Sequence, residues 1–150
     1  MINLVVYDKL YFEKSKIWLE DSEINKLTDT GKLPDDDSRN NWFESLNGRT
    51  DYKIWGVEYN GEPIGVCGIK NIKDDIGEYW GYIGEKQFWS KGLGTIMMRL
   101  NEEEARKLGL IKLTLKVLLT NTKAIGLYNK VGYQEYNRDN KYAYYSKTLK

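Results

Sequence analysis

Glycines 92 and 94 follow Lys91 where an aromatic-rich strand pattern, Gly77 to Gly84, gives way to a helical one, Gly92 to Leu108. A turn of this composition favours an anion. The start of a helix carries unpaired N–H groups and a partial positive charge. Glycine lets the backbone approach a phosphate closely and adopt left-handed angles, and Lys91 adds a mobile cation. A structural turn accounts for the same residues, so Gly-x-Gly alone does not decide. No Gly-Lys-Ser/Thr follows, which sets aside a Walker loop. Position 97 is Met97 instead of the third glycine of a dinucleotide fingerprint. Neither a nucleoside triphosphate nor NAD fits this pattern.

The chain has no histidine. That removes the Ser-His-Asp triad, the Cys-His pair and any His-ligated zinc. Acid–base work falls to carboxylates, tyrosine, lysine, a terminus or water. The one cysteine, Cys67, cannot form an internal disulfide, and its apolar run Ile64 to Ile69 marks a buried structural thiol. Twenty-three basic and 22 acidic side chains leave a net charge of +1, which gives no electrostatic footprint for nucleic acid. No secretory segment opens the chain and no apolar run reaches the length of a membrane span. The expectation is a cytoplasmic protein with no membrane or nucleic-acid partner. A homodimer is left open. The length of 150 residues fits one domain, 1–150, that buries a core without disulfide or metal.

The elements that position the turn follow from periodicity and punctuation. Residues 2–7 alternate weakly as a first strand, and 11–28 carry apolar positions for one or two short helices. After the polar stretch Thr28 to Asp37, Ser38 is placed to cap a helix running to about Leu46. Tyr52 to Tyr59 and Pro63 to Ile72 form a hairpin about Asn60-Gly61, a type I′ turn signal. Asp74-Asp75 make another turn before Gly77 to Gly84. The helix from Gly92 ends at Gly109. Lys112 to Leu119 alternates as a strand. Asn121 caps a helix through about Lys130, Gly132 ends it, and two strands follow at about 133–136 and 142–149. The class is α+β with a mixed sheet.

In these residues the chain resembles the GNAT acyltransferases. Their coenzyme motif, Arg/Gln-x-x-Gly-x-Gly/Ala after the fourth strand, is matched here by Trp89-Ser90-Lys91-Gly92-Leu93-Gly94. Trp in first place departs from the broad pattern. Phe88-Trp89-Ser90-Lys91-Gly92 is similar to the Tyr/Phe-Trp-Gly-Lys-Gly of the branch that acetylates ribosomal proteins and small amines, with Ser90 at a usual glycine. Asn121 to Tyr133 resembles a second motif, Asn-x-x-Ala-x-x-Leu-Tyr-x-x-x-Gly-Phe/Tyr. The resemblance covers 52–149 well and 1–50 mainly in element order.

The resemblance implies a mostly antiparallel sheet of six to seven strands, about four flanking helices, and a splay between strands four and five that holds acetyl-CoA as co-substrate. No metal is implied. Backbone of Ile83, Gly84 and Lys86 would bond the pantetheine arm. N–H groups of Lys91, Gly92, Leu93, Gly94 and Thr95 would hold the pyrophosphate, and the Thr95 hydroxyl and Asn121 would add to the site. Thr95 is equally a first-turn helix residue, and Asn121 equally a cap. Tyr128 would be the general acid for the thiolate, or a buried aromatic. Glu78 would be the base or an amine-orienting group, a lone carboxylate among aromatics. Lys91 and Lys123 are phosphate contacts or solvated lysines.

The acceptor implied is a small-molecule primary amine. Trp18, Trp42, Trp55, Trp80, Tyr79 and Tyr82 are candidates to stack on it, or are core; Trp18, Trp42, Trp80 and Tyr82 are the ones expected to bind it. Glu20-Asp21-Glu23 and Asp35-Asp36-Asp37 would attract a cationic amine, or are solvated ends of helices. The first half resembles relatives acting on nucleotide-linked amino sugars. Aminoglycosides, polyamines, protein N-termini and a non-catalytic coenzyme-binding module stay open.

Overall fold

The computed structural model describes residues 1–149. The chain runs β1 (Ile2–Val6), α1 (Lys9–Glu20), α2 (Ser22–Leu27), α3 (Asp36–Ser45), β2 (Lys53–Tyr59), β3 (Glu62–Lys73), β4 (Ile76–Ile83), a 3-10 turn (Lys86–Phe88), α4 (Leu93–Lys107), β5 (Lys112–Leu118), α5 (Thr122–Lys130), β6 (Gln134–Arg138) and β7 (Tyr142–Thr148). One seven-stranded sheet has the order β1-β2-β3-β4-β5-β7-β6. Every neighbouring pair is antiparallel except β4 and β5. This is the expected α+β architecture, with five α-helices where about four were expected.

Turn chemistry sets the hairpins. Asn60 and Gly61 both have positive φ, 49° and 85°, as a type I′ turn requires. Asp74 and Asp75 repeat the arrangement at 51° and 69°. The 11–28 segment divides because Asp21 is extended and its carboxylate caps α2 on the amides of Glu23 and Ile24. The start of α3 differs from the expectation. Asp35 is the cap, accepting from Ser38 N–H at 2.8 Å, so Ser38 lies inside the first turn. The two acidic groups of the first half therefore act largely as helix starts. Asp21 is also held below its ordinary pKa, first by the Lys86 ammonium and then by the Ile24 amide.

Helices cover both faces of the sheet. On one, Cys67, Ile69, Tyr79, Leu113, Leu115 and Val117 pack against Met97, Met98 and Ala105 of α4 and the inner side of α5. On the other, Val66 meets Tyr11, Phe12, Trp18 and Ile24, with Trp80 and Tyr82 beside them. A register shift after Val57 leaves Ile64 bulged. That is why Ile64 and Val66, two residues apart, reach opposite faces. Cys67 is fully buried and burial pushes its thiol up to about 12.

The site originates in the one parallel pair. β4 and β5 pair only at Ile76↔Lys112, Gly77↔Leu113 and Glu78↔Thr114. Beyond that point β4 follows β3 to Ile83, while β5 follows β7 to Leu118. Each strand keeps its antiparallel partner, and a wedge opens between them.

Candidate functional site

The wedge is the floor of a cleft of about 910 Å³. Its β4 wall presents open backbone. Gly84 N–H donates to Ile64 O at 2.7 Å. Because amides alternate sides along an antiparallel strand, those of Tyr82 and Trp80 also face β3. Those of Tyr79, Gly81 and Ile83 face the other way; Tyr79 N–H still meets Thr114 O at the last β4–β5 pair, and those of Gly81 and Ile83 face the gap, where β5 has turned away. An unpaired strand edge inside a protein calls for a partner that bonds like a strand.

The same cleft reaches the start of α4. The other four α-helices carry side-chain caps, from Asp8, Asp21, Asp35 and Asn121. The α4 N-cap is Gly92, left-handed at φ 76°, with no side chain to offer. The first amides of α4, on Leu93, Gly94 and Thr95, have no carbonyl one turn back to bond. They line the cleft at the positive end of the helix dipole, an arrangement that favours an anion. Ser90 is also left-handed, at φ 61°. Its hydroxyl accepts from Lys123 Nζ at 2.7 Å, which brings an ammonium from α5 to the loop. Trp89 anchors the loop by donating its indole N–H to Ile83 O at 2.8 Å.

Tyr128 is placed by the ends of α5. Asn121 caps the start, accepting from Ala124 N–H at 3.2 Å, and its own amide donates to Leu27 O at 3.4 Å. At the other end Tyr133 N–H closes back on Tyr128 O at 3.0 Å, and Gly132 N–H on Asn129 O. In this termination the residue after the glycine packs on the residue it bonds. The rings of Tyr128 and Tyr133 are accordingly 6.1 Å apart, with Tyr145 at 6.4 Å. Tyr128 lines the cleft, and burial pushes its phenol up to about 12. At neutral pH it is a proton donor.

Glu78 sits at the vertex of the wedge, the last paired residue of β4. It shares the face of Trp80 and Tyr82, so it approaches from the side of the sheet opposite Tyr128. The expectation of a lone carboxylate is corrected. Lys70, directly across β3, lies 3.7 Å away, and the left-handed Asn71 donates its amide to Glu78 at 3.1 Å.

Of the aromatic acceptor candidates, Trp80 and Tyr82 line the cleft, joined by Tyr79 and by Tyr52, whose ring is 6.2 Å from Trp80. Trp18, Trp42 and Trp55 do not. Trp18 is buried against Gly84, where a methyl would meet the indole at 2.2 Å, and it donates to Glu85 at 2.6 Å. Trp42 stands edge-on to Tyr7 and Tyr52. Three coenzyme candidates, Gly84, Lys86 and Lys91, also fall outside the cleft lining. The Gly84 N–H is engaged by Ile64, and Lys86 turns to Asp21 and Glu23 at 2.8 and 3.0 Å.

The sequence profile of the acetyltransferase (GNAT) family matches residues 15–133, more than three-quarters of the chain. The chain belongs to this GNAT family. No curated protein sequence matches it significantly. Among solved structures, the fold is similar to the Campylobacter jejuni N-acetyltransferase PseH in complex with acetyl coenzyme A, with TM-score 0.78, 20% identity and all of both chains covered. It is similar to the Vibrio cholerae spermidine N-acetyltransferase in complex with CoA and spermine, with TM-score 0.90 and 15% identity over 99% of this chain and 95% of that one. An aminoglycoside acetyltransferase in complex with coenzyme A gives 0.83 and 20% over 99% and 95%. At these identities the likeness is one of fold.

As a GNAT member the protein is an acyltransferase with acetyl-CoA as co-substrate. Among the described residues no cluster of His, Cys, Asp or Glu is disposed to hold a metal ion, and no helix is long and apolar enough to cross a membrane. Two parts of this GNAT cleft escaped sequence reasoning. Lys70 opposite Glu78 was available from the hairpin register. The segment Leu27 to Thr30, which overhangs the cleft where Asp29 accepts from the Tyr142 hydroxyl, joins residues 113 positions apart and left no local signal.

Proposed function

We propose that this enzyme moves the acetyl group of acetyl-CoA directly to a primary amine on a small, hydroxyl-rich acceptor, an amino sugar or a nucleotide-linked amino sugar. The observation that carries the transfer chemistry is one continuous cleft in which the open edge of β4 ends on the uncapped start of α4. A pantetheine arm completes the edge through the backbone of Gly81 and Ile83. The amides from Gly92 to Thr95 take the pyrophosphate, with Lys91 and Lys123 at hand. Asn121 contributes by holding the start of α5.

The neutral amine attacks the thioester carbonyl from the Glu78 side. Glu78 orients it and takes its proton directly or through water. The carbon–sulfur bond then breaks and the thiolate takes the Tyr128 proton from the opposite side. No protein nucleophile is needed, and holding both partners in the wedge supplies much of the acceleration.

The charge of the acceptor end supports a polyhydroxylated amine over a polycation. Two of its three carboxylates face lysines, Glu78 facing Lys70 and Glu23 facing Lys86, while Asp29 accepts from the Tyr142 hydroxyl. Tyr52, Trp80 and Tyr82 supply ring faces, and Thr28 and Thr30 supply hydroxyls. Thiol release from acetyl-CoA is the test, with amino sugars, aminoglycosides, polyamines and N-terminal peptides as acceptors. Amino sugars are expected to give the highest kcat/KM. A chain that binds acetyl-CoA but releases no thiol with any amine is a coenzyme-binding module, and the proposal fails.

A further inference from the structure

Tyr79 is the first residue of β4 beyond the last β4–β5 pair. Its side chain lies on the α4/α5 face, 4% exposed, and lines the cleft. The phenol lies along the strand against Gly81. A methyl at position 81 would stand 2.7 Å from the Tyr79 hydroxyl and 2.9 Å from Cys67 Cβ. Glycine at 81 therefore leaves the room that the phenol occupies. Among the described residues none hydrogen-bonds this hydroxyl. The unpartnered hydroxyls of Tyr11 and Tyr133 are sealed in the core; that of Tyr79 opens on the cleft. A donor that no protein group engages is free for a ligand, and the cleft beside it is where a ligand lies.

The position along β4 says which part of the ligand. From Ile83, beside the anion site, to Tyr79 is four residues, about 13 Å at about 3.3 Å per residue. An extended arm anchored at α4 and running down the open edge brings its far end to the fork. Tyr79 and Tyr128 meet that end from the same face of the sheet.

We propose that Tyr79 is a second catalytic tyrosine, whose hydroxyl donates a hydrogen bond to the thioester as negative charge develops there. This rests on the acetyl-transfer reading above. The amine lone pair forms the carbon–nitrogen bond and the carbonyl pair moves to oxygen. The carbonyl then re-forms, the carbon–sulfur pair leaves on sulfur, and the sulfur takes the Tyr128 proton. Tyr79 transfers no proton. Burial raises its pKa well above the ordinary value, and the neighbouring Tyr128 adds to the rise, so it stays a donor throughout.

The test is Tyr79→Phe in the full chain, which keeps the ring and removes only the hydroxyl. Loss of a donor to a developing oxyanion lowers kcat by about 10²-fold. The Kd for acetyl-CoA and the KM for the acceptor are expected to stay at wild-type values, and the thermal midpoint is expected to hold or rise. Wild-type kcat in Tyr79→Phe overturns the proposal, as does a loss of kcat that comes with weaker acetyl-CoA binding and a lower midpoint. A wild-type chain without amine-dependent thiol release overturns the transferase reading, and this inference with it.

Discussion

Substituting the two glycines of Gly92-Leu93-Gly94 by alanine separates backbone conformation from simple proximity. At Gly92 nothing lies within 4 Å of an added Cβ, so there is no clash. The cost is conformational, since φ is 76° and an L-residue in the left-handed helical region is disfavoured by about 1–2 kcal/mol. At Gly94 the backbone is helical and a new methyl meets only Leu127 Cδ2 at 3.2 Å, the end of a flexible side chain. Alanine in a helix gains up to about 1 kcal/mol over glycine, which offsets that contact. Gly92→Ala should therefore lose about 1–2 kcal/mol, divided between the free fold and the coenzyme complex. If the loop stays in place, the thermal midpoint falls by about 2–4 °C per kcal/mol. If the loop relaxes, the loss appears as weaker binding, tenfold in Kd for each 1.4 kcal/mol or so. Gly94→Ala should leave both close to wild type. The assay is thermal unfolding of the free protein together with titration of coenzyme A. A Gly92→Ala protein with wild-type midpoint and Kd, or a Gly94→Ala protein more impaired than Gly92→Ala, refutes the reasoning.

Tyr128→Phe keeps the ring between Tyr133 and Tyr145, so turnover should fall by about 10²–10⁴-fold while acetyl-CoA affinity holds; steady-state kinetics with thiol detection shows this, and unchanged turnover removes the assignment. Ser90→Gly relieves a left-handed residue, stabilising the free protein by about 1 kcal/mol, but loses the Lys123 contact and so weakens coenzyme binding; parallel melting and titration curves should move in opposite directions. Burial raises the Cys67 thiol from 9.0 to about 12 and the Tyr128 phenol from 10.0 to about 12. The folded state thus holds these protons more tightly than the unfolded chain, so their contribution is complete below about pH 9 and is lost as pH rises through 12. Denaturant midpoints should be level at neutral pH and decline above about pH 9, and Cys67→Ala should flatten the first part of that decline.

Much of the fold was legible because it is written in short-range chemistry. Asn60-Gly61 marked a hairpin, Gly109 and Gly132 marked helix ends, and Asn121 marked a cap, each through the conformation its residue type permits. Ser38 misled because Asp35, three residues earlier, has an equally short polar side chain with reach to the same turn. The aromatic acceptor candidates divided for a different reason. Residue type says that a tryptophan is large and amphipathic, but not which of its sides is covered. Trp18 lost its exposure to Gly84, a contact 66 positions away, and Trp80 kept its place in the cleft through strand parity.

The sequence by itself determined a glycine turn with no capping side chain ahead of a helix, since these are local properties of Gly92-Leu93-Gly94. It also determined that Glu78, Trp80 and Tyr82 share a face, because strand side chains alternate. Only the tertiary structure decided that the turn opens into a wedge. That depends on β4 and β5 parting after Glu78 and Thr114, each held by a different antiparallel neighbour. It likewise decided that Glu78 is paired with Lys70 and Asn71, and that the Tyr79 phenol lies in the room left by Gly81. Such outcomes are set by long-range pairing and by the space between elements, which no window of sequence contains.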